Sequence, residues 1–375
     1  MSAPVSPLER DERWARVALA FLLEPGNHGI ARSLAAEGAV ATLAALRRRA
    51  GSPERYVRLA DLDLEGLARQ VRDAGARVLV PGDPEWPPGV DRHETPPTCL
   101  FVRGDPDLAA MAERAVAVVG SRAASPYGLR VAAELGEGLA GRGWSVVSGA
   151  AYGIDAAAHR GALAAEGTTV AVLACGVDVA YPKAHHRLLE AIAGTGSVVS
   201  EVPPGAVPLR GRFLARNRLI ALLARATVVV EASLRSGSLS TAREARTHHL
   251  PVGAVPGPVS SATSAGCHEL LRETDAVLVT DTADVAELAA RVGDELADPR
   301  RPAPRPTDAL EPLEYAVWAA APVRQRASAD RLAVLSGSDP ARVPAALAVL
   351  EAMGLLEGEG GGWRKTASSL VTGGG

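Results

Sequence analysis

Lysine is nearly missing from this 375-residue chain: Lys183 and Lys365 stand alone, and every other basic side chain is arginine. Together with the abundance of Ala, Gly and Pro, this reads as a GC-rich coding bias, so arginine identity proves little and its position must carry the argument. Aromatic residues make up 3% of the chain, with three Phe in all, so an aromatic placed among charges is conspicuous. The three cysteines, Cys99, Cys175 and Cys267, form no CxxC pair. That fits a reducing cytoplasm and excludes a cysteine-rich zinc site. A net charge of −3 gives no global basic field, so any nucleic-acid partner needs a local patch. No run approaches the roughly 18 apolar residues of a membrane span. The N-terminus lacks a charged segment followed by an apolar core, so no signal peptide is expected. The expectation is a soluble, cytoplasmic protein.

The length suits two or three domains. Residues 1–80 read as an N-terminal helical domain of the SAM or helix-hairpin-helix kind, with helices at Trp14–Leu23, after Asn27, ending near Arg49, and over Asp63–Ala74. The turn Pro25–Ile30 resembles a helix-hairpin-helix turn, although an ordinary helical hairpin with Gly at its C-cap fits better. Val78–Val80 suggests a strand, and Pro81–Pro97 an extended connector.

Residues 81–295 alternate strand and helix, the pattern of an α/β, doubly wound, extended Rossmann-like parallel sheet. Strands are expected at Val116–Val119, Ser145–Ser148, Thr169–Ala174, Ser197–Ser200, Thr227–Val230, Val252–Val255 and Ala276–Val279. Residues 296–308 form a Pro/Arg linker. Residues 309–366 spell three helices and a small hairpin, a winged-helix domain. Its third helix carries one arginine, Arg342, which favours protein docking over base readout. Residues 367–375 read as a disordered tail.

The chemistry concentrates after the strands. AVAVVG breaks into Gly120, Ser121 and Arg122, and one βα unit later come Ser148, Gly149 and Gly153. Small residues between a buried strand and a helix aim backbone N–H groups at one spot, which suits phosphate. Ser236, Gly237 and Ser238 make a third such turn, with Ser240 or Thr241 capping the helix behind it. Leu209–Arg225 reads as a loop carrying Arg210, Phe213, Arg216, Asn217 and Arg218, leading into a helix at Leu219–Leu223. Arginines supply sequence-independent phosphate contacts and Phe213 a stacking face. Three turns and a basic loop on one edge describe a groove for an extended polyanion. Asp155 reads as an N-cap, and Glu201 and Glu231 as structural. The pairs His185-His186 and His248-His249 are read without a carboxylate or cysteine at ligand spacing, so no metal site is expected.

These motifs resemble those of the DNA-processing protein A (DprA/Smf) family. PPTCLFVRGD at Pro96–Asp105, VAVVGSR at Val116–Arg122, SGAAYGIDAAAHRGAL at Ser148–Leu163, YP at Tyr181–Pro182 and SE at Ser200–Glu201 carry the likeness. So do FLARNRLIA at Phe213–Ala221, SGSLSTA at Ser236–Ala242 and AVPG at Ala254–Gly257. The resemblance implies a homodimeric single-stranded DNA-binding protein, with no cofactor and no catalytic step, that helps load the RecA recombinase in transformation or recombination. It carries the DNA pocket over to Arg122, Arg210, Phe213, Arg216, Asn217 and Arg218. Ala150 stands where members commonly have Leu, and Leu214 where they commonly have Pro. The alternative is a LOG-like nucleotide phosphoribohydrolase, whose PGGxGTxxE signature falls on Ser236–Glu244. Thr241 and Glu244 match it, but serines replace Pro and two glycines.

Overall fold

The computed structural model describes residues 10–49, 62–291, 294–295 and 306–366. The chain divides into two compact units, Met1–Ala297 and Asp298–Gly375.

The first unit begins with α1 (Glu12–Leu22), started by Asp11, whose carboxylate accepts the N–H groups of Arg13 and Trp14. In α2 (His28–Arg49), Gly38 at φ 77 is non-helical, and the Glu12 carboxylate accepts the freed N–H of Ala39 at 2.8 Å. By length and composition α2 is the one described helix that matches a membrane span, but this break divides it. The two helices expected between Asn27 and Arg49 are the two halves of α2. After α3 (Leu64–Asp73) the chain enters the sheet.

The strands are β1 (Arg77–Leu79), β2 (Leu100–Arg103), β3 (Ala115–Val119), β4 (Ser145–Ser148), β5 (Thr169–Leu173), β6 (Ser197–Ser200), β7 (Ala226–Val229), β8 (Val252–Ala254) and β9 (Val277–Leu278). They form a nine-stranded sheet in the order β1-β2-β6-β5-β4-β3-β7-β8-β9. From β6 to β9 every neighbouring pair is parallel, whereas β1 and β2 add on antiparallel at one edge. The sheet is therefore mixed rather than wholly parallel. The strands β3 to β7 are buried on both faces, hence their unbroken Val/Ala runs. Trp14 and Phe21 of α1 pack against the cluster containing Phe101, with the two Phe rings edge to face at 6.3 Å. The expected extended connector contains a 3-10 turn at Pro88–Arg92 and buries Trp86.

The crossover helices are α4 (Leu108–Glu113), α5 (Pro126–Gly141), α6 (Ile154–Ala164), α7 (His186–Thr195), α8 (Arg210–Leu222), α9 (Ser238–Thr247), α10 (Ala265–Glu273) and α11 (Thr282–Ala289). The second unit holds α12 (Pro312–Ala320), α13 (Ala329–Ser336) and α14 (Val343–Ala352). Its antiparallel sheet runs β10 (Ala327–Ser328), β12 (Gly362–Lys365), β11 (Leu356–Glu359). A core of Val317, Leu332, Leu347, Leu350 and Leu356 joins them. The linker up to residue 305 and the tail 367–375 lie outside the described residues.

Candidate nucleic-acid interface

The chain winds from β3 through β6 to one side of the sheet and from β7 through β9 to the other, so the order reverses between β3 and β7. At such a switch point the two following loops part and leave a crevice beyond the carboxyl ends of the strands. A cavity of about 720 Å³ lies there. Gly120, Ser121 and Arg122 after β3 line it, as do Ser236, Gly237 and Ser238 at the start of α9, and Arg210, Phe213, Leu214 and Asn217 of α8.

The turn after β3 is built by Glu231, just past β7. Its buried carboxylate accepts the N–H of Ser125 at 2.8 Å and the hydroxyls of Ser125 and Thr263, while its carbonyl accepts the N–H of Ser121 at 2.7 Å. Ser125 Oγ in turn accepts the N–H of Gly128 and caps α5. Glu231 is therefore structural, and it leaves Arg122 exposed at the mouth.

The second turn is different from its sequence reading. Its N–H groups are already used: Gly149 and Ala151 donate to the Asp155 carboxylate at 3.2 and 3.4 Å. Asp155 thus fills the anion seat that the turn offers, instead of capping α6, whose N-cap is Gly153. Burial pushes the Asp155 carboxyl up, against the pull of Arg216 and those two N–H bonds. Gly153, at φ +79, passes so close to the Ser121 carbonyl that any Cβ would overlap it. Ser148 is buried and donates to the Val118 carbonyl at 2.6 Å. Ser148, Gly149 and Gly153 therefore shape the floor and do not line the cavity.

The expected loop 209–218 is helix from Arg210 onward. Arg210, Phe213, Leu214 and Asn217 fall at i, i+3, i+4 and i+7, so one helical face meets the cavity. The other arginines of α8 are held by partners within the protein, although Arg216 also lines the cavity. Arg216 runs beneath the second turn and donates to the carbonyls of Gly149, at 2.9 Å, and Val172. Burial lowers its guanidinium to about 10, still cationic at neutral pH. Arg218 makes a buried two-pronged ion pair with Glu201 at 2.7 and 2.8 Å and also donates to the Thr95 carbonyl. Arg212 is paired with Glu24 at 2.6 Å. Arg122 and Arg210 are exposed, and neither forms an ion pair among the described residues.

Phe213 is half-buried on α8, not exposed in a loop. The Arg122 guanidinium stands 5.1 Å from its ring centroid, a cation–π contact, and the Tyr181 ring lies 5.6 Å away. Tyr181, 42% exposed, is the site residue missed from the residues alone, although the YP pair of the family resemblance carried it. In the third turn, Gly237 rather than Ser240 or Thr241 is the N-cap of α9. Ser236 and Ser238 share a hydroxyl bond at 2.7 Å, and Asn217 ties α8 to this turn through the Gly237 carbonyl and Ser240 Oγ.

Glu244, the last residue of the nucleotide-hydrolase signature, does not line the cavity. It sits four residues before His248 and groups with His248 and His93. The reading that no carboxylate stands at ligand spacing from His248 is thereby corrected. His185 is buried against the Ala150 carbonyl, and His159, pushed down to about 3 by burial, bonds Thr169.

Residues 77–290 match the family model described as DNA recombination-mediator protein A. A putative DNA processing protein DprA of Mycobacterium tuberculosis is 48% identical over 330 residues, covering 85% of this chain and 83% of its own. The DNA processing protein DprA of Streptococcus pneumoniae is 39% identical over 66% of this chain and 85% of its own. Its solved structure superposes with TM-score 0.61 at 33% identity, covering 76% of this chain and 96% of that one. DNA processing protein A from Helicobacter pylori, described for its single-stranded DNA binding mode, gives TM-score 0.51 at 30% identity over 57% and 96% of the two chains.

Proposed function

The chain belongs to the DNA recombination-mediator protein A family, and from that premise we propose that it binds single-stranded DNA across the switch-point cavity, as a homodimer, and passes the strand to the RecA recombinase in transformation or recombination. The observation that carries the DNA reading is the pair of exposed arginines, Arg122 and Arg210, which form no ion pair among the described residues and line the cavity with the Phe213–Tyr181 aromatic pair. Exposed cations not held in ion pairs give phosphate contacts, and ring faces accept unstacked bases of any sequence. No catalytic step is assigned to the protein. The second unit, with three helices and a small antiparallel sheet, fits a winged helix used for protein docking. Its third helix, VPAALAVLEA, has no basic residue within it, and Arg342, expected inside it, is its N-cap.

The test is anisotropy titration of the full chain with single-stranded and duplex oligonucleotides over a salt series. Single-stranded DNA is expected to bind more tightly, with little dependence on base sequence. Phe213→Ala should cost about 1–3 kcal/mol of affinity with the salt slope unchanged, because stacking releases no counterions. Equal or tighter binding to duplex would refute the reading. So would a Phe213→Ala protein that binds normally but unfolds early. Release of free base from nucleoside monophosphates would favour the hydrolase instead.

A further inference from the structure

We infer that His93, Glu244 and His248 form a binding site for one zinc-class divalent cation, outside the DNA cavity. Glu244 lies in the last turn of α9, and His248, four residues on, is its C-cap. His93, directly after the 3-10 turn Pro88–Arg92, is brought against them by the connector. Each of the three offers a ligand atom, and these atoms all lie within 4.8 Å of one another. His93 Nε2 stands 3.8 Å from Glu244 Oε2, and the two imidazole rings are 5.4 Å apart. Donors around a tetrahedral zinc, at bond lengths of about 2.0–2.1 Å, lie roughly 3.3 Å from each other. Small side-chain adjustments would close the set. Two imidazoles and one carboxylate, with a fourth position left to water, are a donor set that zinc takes.

A second observation points the same way. His248 Nε2 is buried and has no hydrogen-bond partner, a state that polar atoms in protein interiors rarely keep and that a metal bond would end. The surroundings also supply an outer contact. Thr95 places its Oγ1 at 2.9 Å and its N–H at 3.0 Å from His93 Nδ1. With the proton on Nδ1, given to Thr95 Oγ1, the Nε2 lone pair is free on the side of Glu244, the arrangement that metal-ligating histidines use. With Nδ1 accepting the Thr95 N–H, Nε2 carries the proton, and metal uptake moves it to Nδ1, where Thr95 Oγ1 can accept it. A cation here would tie the connector 81–97 to α9, whose first turn lines the DNA cavity.

The full-length protein, stripped with chelator, would be titrated with Co²⁺ followed by Zn²⁺ and monitored by visible absorption and calorimetry. One Zn²⁺ per chain is expected, displacing Co²⁺ that shows the intense ligand-field band of tetrahedral coordination. Glu244→Gln and His248→Gln should each weaken Zn²⁺ binding by at least about tenfold and remove that band. His249→Gln, at the exposed neighbour, should leave both unchanged. Glu244→Gln keeps the shape of a half-exposed side chain, so it stays informative where His248→Gln disturbs packing; circular dichroism checks both. Equal Zn²⁺ uptake by wild type and both variants, or no tetrahedral Co²⁺ band in wild type, would overturn the site.

Discussion

Arg218 tests whether charge alone or charge in position makes a DNA contact. It belongs to an arginine-rich stretch with Arg210, Arg212 and Arg216, yet its side chain is 4% exposed and its Glu201 partner 9%. The guanidinium spends its donors on both Glu201 oxygens and on the carbonyls of Thr95 and Ala215, so none is left for a phosphate. Arg218→Met keeps much of the volume and removes the cation. Breaking a buried pair from one side costs about 3–5 kcal/mol, mainly because the remaining charge stays buried without a partner. Against a typical folding free energy of about 5–15 kcal/mol, that loss shifts a denaturant midpoint plainly. The double variant Arg218→Met with Glu201→Leu removes both charges and should recover most of the loss. Single-stranded DNA affinity, measured below the unfolding transition, should equal wild type in both proteins. A single variant that keeps its midpoint and loses DNA binding would refute the reasoning and return Arg218 to the interface.

Arg122→Ala and Arg210→Ala should each flatten the slope of log affinity against log salt by roughly 0.7, one single-strand phosphate contact. Arg212→Ala, whose partner is Glu24, should leave the slope unchanged in the same titration. Asp83, held below the usual carboxylate range by the hydrogen bond from Arg13, adds stability above pH 3.8 that is lost as pH falls through its lowered pKa. Asp83→Asn should therefore cost up to about 1 kcal/mol near neutral pH, discounted for partial exposure, and nothing in strong acid, as urea melts at several pH values would report. Gly153→Ala should destabilise by more than about 1 kcal/mol, because its positive φ and the Ser121 carbonyl both exclude a Cβ, and calorimetry checks it. A chain ending at Ala297 should keep wild-type affinity for single strands, since every cavity residue precedes that point.

The parallel strands were legible because burial on both faces leaves unbroken apolar runs: Ser145–Ser148 and Ser197–Ser200 came out residue for residue. The antiparallel strand β2, between β1 and β6, escaped because LFVR, following a proline-rich stretch, shows no alternation that sets it apart from the connector. Helix α8 was misread as a loop because arginines interrupt its apolar pattern. The signal was present all the same: Arg210, Phe213, Leu214 and Asn217 keep helical spacing, and that spacing sets Arg210 apart from Arg212 and Arg218, which do not line the cavity. Composition could not make that division, because Glu24, the partner of Arg212, comes from just past α1, and Glu201, the partner of Arg218, from just past β6. The carboxylate beside His248 was readable one helical turn upstream, whereas His93 required the fold to deliver it.

Asp155 bears most on how a strand would lie in the proposed site. Two glycine turns in succession suggest two phosphate seats, but the second is held by this protein's own carboxylate through Gly149 and Ala151. A phosphate brought there would meet a fixed acceptor instead of free donors. The cavity therefore has exposed arginines, Arg122 and Arg210, and a buried carboxylate, Asp155, beside the Arg216 guanidinium, with Phe213 and Tyr181 also in its lining. In the proposed site a nucleotide would set its phosphate on the exposed arginines, Arg122 and Arg210, and turn its base toward the rings and the carboxylate. Asp155→Asn should keep the turn bonds through its remaining carbonyl oxygen while removing the repulsion. On this reasoning it tightens binding to short single strands, most of all at low salt, where an unscreened carboxylate acts furthest. Weaker binding by a folded Asp155→Asn protein would mean that the carboxylate itself receives a base donor, and the orientation would stand on attraction rather than exclusion.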